Sequence, residues 1–305
     1  MGYRHIRRKE EARMHQASLL RFALAMALFG SVGFFSKLTG LPYIELIAVR
    51  LLCAALLLFV VWLVKREGGM DKLDRREVGI ILLCAVANLL NWICLYTSFE
   101  KTSVTIAISL YHLAPIFVLI AGRFLFREKW TTRTFLALSL CFIGTISIMG
   151  LKAGGHPVLG GEGIAWGVMA AFFYAATMLL GKSVTKSSLY LVTYLQMVIG
   201  LLILLPFVDY TVYFSLSREQ WMYSIFTGVV HTGFVYLLFF QSLRLLTAKT
   251  ISFMVFIDPA VAILLDILLS GFRPDRFQWA GIILIFAGML ATISPREHKT
   301  RRMIS

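Results

Sequence analysis

Apolar residues in this 305-residue chain come in long blocks, one after another from residue 19 to residue 293. A helix needs roughly 20 such residues to cross about 30 Å of hydrocarbon, and the blocks have that length. Candidate spans fall at 19–39, 41–64, 78–99, 102–126, 131–150, 161–182, 188–209, 220–243, 248–270 and 277–293. The expectation is an all-α membrane protein of ten transmembrane helices, with basic tails at 1–18 and 294–305. Hydrophobic residues are 59% of the chain and charged ones 15%, which leaves almost nothing for a soluble domain.

A net charge of +14 could suggest nucleic acid, but its placement argues otherwise. With a cytoplasmic N-terminus, 23 of the 30 basic residues fall on inside segments, 6 on outside ones, and Arg50 within a span. The positive-inside rule then puts both termini in the cytoplasm. No basic soluble face remains to bind nucleic acid. The first apolar block is too long for the core of a cleavable signal peptide, and no small-residue cleavage site follows it. Cys53, Cys84, Cys94 and Cys141 lie scattered within spans without paired spacing, as small packing residues do.

The chain also repeats itself. With Pro115 set over Pro259, an offset of 144, Ser98 falls on Ser242, Leu125 on Leu269, Phe142 on Phe286 and Gly144 on Gly288. Asn88 meets Thr232, Trp92 meets Tyr236 and Tyr96 meets Phe240, without a gap from the third span to the fifth. Two halves, 19–152 and 153–293, of five spans each are expected. Five is odd, so the second half enters from the opposite side. That predicts an inverted repeat with a substrate site near the midplane between the halves.

These pieces resemble the EamA-type ten-helix bacterial carriers of the drug/metabolite transporter superfamily. The similarity is carried by the arginine of "AVRLLCAALLL", by "HLAPIFVLIAGRFLFREKWT" ending around Glu128, and by "LALSLCFIGTISI". The second copy supplies "FIDPAVAILLDILLSG" and "WAGIILIFAGMLATI". The resemblance implies a multi-pass protein of the bacterial cytoplasmic membrane that moves small metabolites, with an acid before the second-copy proline facing inward. Two departures stand out: Phe272 occupies the position matching Glu128, and the first span lacks the glutamate of the small proton-exchanging members.

Within the spans, a few polar residues stand out against the cost of burial. Asp258 lies near mid-span, where a charge costs roughly 2.5–3.5 kcal/mol on insertion scales. It reads as a site for a substrate ammonium or a proton, or else as a structural acid bonded to a neighbouring helix. Asp266 comes eight residues later, about 12 Å along the helix and rotated about 80°. It is expected near the outer end, as a structural or gating acid partnered by Arg50. His112, three residues before Pro115, sits at nearly the depth of Asp258 and is either a packing residue or a titrating partner. Pro115 and Pro259 each bend a helix, as hinges or as fixed kinks. Asn88, Asn91, Trp92, Tyr96, Tyr174, Tyr236 and Gln241 are the expected cavity walls.

Three function classes follow. A secondary carrier working by alternating access fits the repeat; the family resemblance points to export of amino acids or related compounds. Uniport and proton-coupled transport of other amphipathic metabolites or drugs both stay open. A membrane-embedded enzyme would need a nucleophile–base pair or a ligand cluster, and neither those motifs nor a phosphate-cradling glycine loop occurs. A scaffold would not need a repeat. The expected partners are a small-molecule substrate, the lipid bilayer and, as a candidate, protons. No catalytic residue, metal site or cofactor is expected.

Overall fold

The computed structural model describes residues 2–65, 74–101, 107, 110–127, 131–149, 161–269 and 276–293, without the side chains of 2–12, 65, 145, 148, 149, 263, 266, 278, 285, 286 and 289–293. Glu128 and the side chain of Asp266 lie outside the described residues. All the described elements are helical. α1 spans Gly2–Thr39, α2 Tyr43–Lys65, α3 Arg75–Lys101, α4 Ala114–Phe126, α5 Thr132–Met149 and α6 Gly161–Ser183. α7 follows at Leu189–Leu204, α8 at Arg218–Gly228, α9 at Val235–Leu243, α10 at Ala248–Met254, α11 at Ile257–Leu269 and α12 at Arg276–Ile293. A π-turn at Val229–Phe234 joins α8 to α9 without a break.

Seven segments among the described residues are long and apolar enough to cross a bilayer: Arg13–Thr39, Tyr43–Val64, Arg75–Lys101, Gly161–Ser183, Leu189–Phe207, Arg218–Leu243 and Ala248–Leu269. α4 and α5 are shorter and equally apolar. The distribution of polarity is inverted relative to a protein that folds in water. Leu20, Leu56, Phe124, Leu136, Phe172 and Leu268 lie exposed on the outside, while Arg50, Asn88, Asn91, Gln196 and Thr232 are buried. Only a lipid solvent rewards that arrangement. This is a multi-pass membrane protein.

Local chemistry sets the helix ends. Gly40 adopts φ +65° just past α1, a left-handed cap that glycine takes without a Cβ clash, and Pro42 follows. Ser217 and Gln220 form a reciprocal capping box at the start of α8. Each of the two span prolines coincides with a break in its helix. The helix opens at His112 and Leu113, and again at Val255 and Phe256; Pro115 and Pro259 then sit in the first turns of α4 and α11. Proline has no N–H for the carbonyl four residues back, so the hydrogen-bond ladder is interrupted there and the second half-helix starts around the proline.

The bundle closes through pairs of helices. α3 packs along α6, α5 along α12, α2 along α7, and α1 along α11, α8 and α9; α4 lies against α6 and α10. Small residues permit the closest approaches. A Cβ on Gly122 would stand 2.5 Å from Ala248 Cβ, and one on Gly288 2.5 Å from Cys141 Sγ. At one end of α3, buried Glu77 accepts hydrogen bonds from the backbone N–H of Thr185 (2.9 Å), Lys186 (2.8 Å) and Ser187 (2.9 Å), and from the Ser187 hydroxyl. This carboxylate holds the turn between α6 and α7 onto the first half of the chain.

Candidate functional site

Among the described residues, a cavity of about 110 Å³ lies between α1, α2, α3, α6, α9 and α11. Its walls are Phe29 and Val32 from α1, Arg50 from α2, Trp92, Leu95 and Tyr96 from α3, Tyr111, Tyr174 from α6, Tyr236 from α9 and Asp258 from α11. Pockets that bury drug-sized ligands run to roughly 300–1,000 Å³, so this one suits a small metabolite.

Arg50 is 3% exposed, yet three interactions hold it. Its Nε donates to Thr232 Oγ1 at 3.0 Å and its Nη1 to the Tyr96 hydroxyl at 3.3 Å. The guanidinium carbon lies 4.4 Å from the centre of the Trp92 ring, a cation–π distance. Tyr43 stacks on the far face of this wall, with its ring 4.3 Å from that of Tyr96. Asp258 sits in the first turn of α11. Among the described residues, neither Arg50 nor the Asp258 side chain forms an ion pair. One cavity therefore carries Arg50 and Asp258 on its wall, with no ion pair on either among the described residues.

The aromatic walls are braced from behind. The Tyr236 hydroxyl donates to Asn88 Oδ1 at 3.0 Å, and its ring meets Trp92 edge-on at 5.8 Å. Asn91 Nδ2 donates to Ala170 O at 3.0 Å and lies 3.3 Å from the Tyr111 hydroxyl. Tyr111 in turn stacks on Tyr174, 4.8 Å between centroids and 7° between planes. Asn88 and Asn91 thus orient wall residues without lining the cavity.

The structure brings Arg50, Trp92, Tyr96, Tyr174, Tyr236 and Asp258 together around one space. His112 lies elsewhere: it is buried in the helix opening, its ring 6.1 Å from that of Phe256. Gln241, near the end of α9, does not line the cavity. Arg50 was expected to meet Asp266; its observed partners are Thr232, Tyr96 and Trp92. Tyr111, Phe29, Val32 and Leu95 were missed. Tyr111 had a signal in its place beside His112 and Pro115; the three apolar residues had none, since nothing in an apolar block marks its inward face.

Asp258 is fixed in place by a glycine. A Cβ on Gly30 of α1 would stand 2.5 Å from Asp258 O, 3.0 Å from Val261 Cβ and 3.2 Å from Ala262 N. Two of those neighbours are backbone atoms and cannot swing aside. Gly30→Ala is therefore expected to cost about 1–3 kcal/mol of stability. It should also reduce transport, because the first turn of α11 is pushed off α1. Thermal melting in detergent and uptake of the variant check this; an unchanged pair of values would disprove the tight contact.

The model of the EamA-like transporter family matches residues 17–150 and again residues 161–294. The chain is 46% identical over 289 residues to the uncharacterized transporter YxxF of Bacillus subtilis (strain 168), covering 94% of this chain and 93% of that one. It is 26% identical over 272 residues to an uncharacterized transporter of Archaeoglobus fulgidus, covering 88% and 93%. A solved crystal structure aligns with a TM-score of 0.79 at 14% identity, over 95% of this chain and 99% of that one, which shows a shared fold and no more. Two matched repeats filling almost the whole chain, together with a transporter relative at this identity, settle the family: the chain belongs to the EamA-like transporters of the drug/metabolite transporter superfamily.

Proposed function

We propose that the protein is a secondary carrier that exports amino acids or related zwitterions by alternating access around the central cavity. The carrying observation is the cavity itself, with Arg50 and Asp258 on its wall and, among the described residues, no ion pair on either. Arginine offers five N–H donors in a planar fork that matches a carboxylate, and the protein takes only two of them here. An aspartate complements an ammonium. Trp92, Tyr96, Tyr111, Tyr174 and Tyr236 supply apolar faces between the two charges.

Counterflow in proteoliposomes tests this reading. L-amino acids should exchange, while their decarboxylated amines and deaminated acids should compete weakly. Equal competition by sugars or by uncharged solutes would refute it. Asp258 is also the wall group able to carry a proton, so flux under an imposed pH gradient separates proton exchange from uniport.

The alternating-access reading includes ten spans, repeats at 19–152 and 153–293, and an inverted arrangement between them. The helix contacts support it, because they are reciprocal. α2 meets α7 and α5 meets α12, each helix packing on its own repeat mate, and α4 meets α10, which belongs to the mate of its span. α3 on α6 is mirrored by α1 on α8 and α9, and α1 on α11 by α6 on α4. We place both termini in the cytoplasm of a bacterial inner membrane, from the 23-to-6 asymmetry of basic residues. A reporter fused after Arg302 should register as cytoplasmic; an outside signal would overturn the span count or the orientation.

A further inference from the structure

We infer that Thr232, inside the π-turn, is a positioning residue that aims the Arg50 guanidinium into the cavity and so sets the preference for a substrate carboxylate. The inference rests on the reading of Arg50 as the carboxylate anchor.

The geometry begins with the turn. In a regular helix a threonine hydroxyl bonds the carbonyl three or four residues back. Here the Thr232 hydroxyl donates to Thr227 O at 3.2 Å, five residues back, and the same oxygen accepts from Arg50 Nε at 3.0 Å. The π-turn is what creates that register, since its carbonyls lie one residue further back than in an α-helix. Turns of this kind often mark functional sites.

Two neighbours hold the turn in place. On one side Gly228, just before the turn, and Gly233 within it rest directly on α2. A Cβ on Gly228 would stand 2.5 Å from Cys53 Cβ and 3.3 Å from Arg50 Cα; one on Gly233 would stand 2.7 Å from Leu57 Cδ2 and 3.3 Å from Ala54 Cα. No side chain of the turn separates the two backbones at these points. On the other side buried His231 Nε2 lies 2.8 Å from Ser31 Oγ of α1. The Thr232 hydroxyl is therefore set at a fixed distance and height relative to Arg50.

The chemical consequence follows from the guanidinium being planar. A bond at Nε fixes the plane, and the Tyr96 bond at Nη1 fixes its tilt. The N–H groups left over belong to Nη1 and Nη2, the edge that grips a carboxylate with two parallel bonds. Without Thr232 the Tyr96 bond and the stacking on Trp92 remain, but neither holds Nε, so the fork can turn about the Tyr96 bond.

The test uses the full chain, purified in detergent with ¹⁵N-labelled arginine. The Arg50 Nε–H signal is identified by its loss in Arg50→Lys. It should exchange slowly with solvent in the wild type and in Thr232→Ser, and rapidly in Thr232→Val. Thr232→Ala, which removes the hydroxyl without adding a methyl, replaces the valine variant if that one does not fold. A binding arm compares L-phenylalanine with phenethylamine, which lacks only the carboxylate. Thr232→Val should weaken the amino acid about tenfold and leave the amine unchanged, with Thr232→Ser restoring the difference. A slow Nε–H in Thr232→Val overturns the inference. So does an equal loss for both probes, which would mark a merely structural hydroxyl. If the wild type binds neither probe, the anchor reading falls and the exchange rate alone decides for or against Thr232.

Discussion

Asp258→Asn is expected to reach the membrane in normal amount and to lose roughly 10- to 100-fold in apparent affinity for its substrate. The size follows from the bond being removed. A hydrogen bond to a charged group contributes about 1.5–3 kcal/mol, and 1.4 kcal/mol is tenfold. Folding should survive because, among the described residues, no protein group relies on the Asp258 carboxylate as a hydrogen-bond acceptor or ion-pair partner. Asparagine keeps the size and much of the hydrogen bonding, so it removes charge and little else. Uptake kinetics and the amount of monodisperse protein are the two measurements. Normal flux in Asp258→Asn would reduce the aspartate to a structural residue, and loss of the protein from the membrane would do the same.

Glu77→Ala is expected to have the opposite profile, a collapse of stability that precedes any effect on transport. Glu77 is 5% exposed and terminates three consecutive backbone N–H groups and one hydroxyl from the turn between α6 and α7. Thr185 and Lys186 lie at the surface, where water can replace the carboxylate; Ser187 is buried and cannot be rescued in that way. Losing an acceptor that serves several donors costs at least about 3 kcal/mol at the usual value for charged partners. Arg244 sharpens the effect, since its Nη1 donates to Ser187 O at 3.1 Å and depends on that turn staying in place. Glu77→Gln, which keeps an acceptor oxygen, should fall between the wild type and alanine. Thermal unfolding in detergent reads the order directly, and a Glu77→Ala protein as stable as the wild type would contradict it.

These two acids illustrate how differently legible the residues of one membrane protein can be. Asp258 announced itself, because a charge in mid-span is costly wherever it points, and only a cavity or a partner permits it. Glu77 sits near the start of α3 among Arg75 and Arg76, where an acid costs little, so nothing in the sequence separated it from an ordinary surface charge. Arg50 fell between the two. Its rarity inside a span was visible, but its partners were not: Thr232, Tyr96 and Trp92 lie 182, 46 and 42 residues away along the chain.

Hydropathy is a property of depth, and depth is accumulated residue by residue along the chain. The sequence alone therefore determined where the apolar segments lie, that the chain is a membrane protein, and that it consists of two similar halves. Rotation of a helix about its own axis has no such local signature, because lipid accepts almost any apolar face. Only packing decided it, through close backbone contacts such as Gly30 on Asp258 and Gly228 on Arg50. The same packing decided that His112 turns toward Phe256 while Tyr111 lines the cavity one residue away. It also decided that Val229–Phe234 winds as a π-turn, a register no apolar block encodes, which puts the hydroxyl of Thr232 against Arg50.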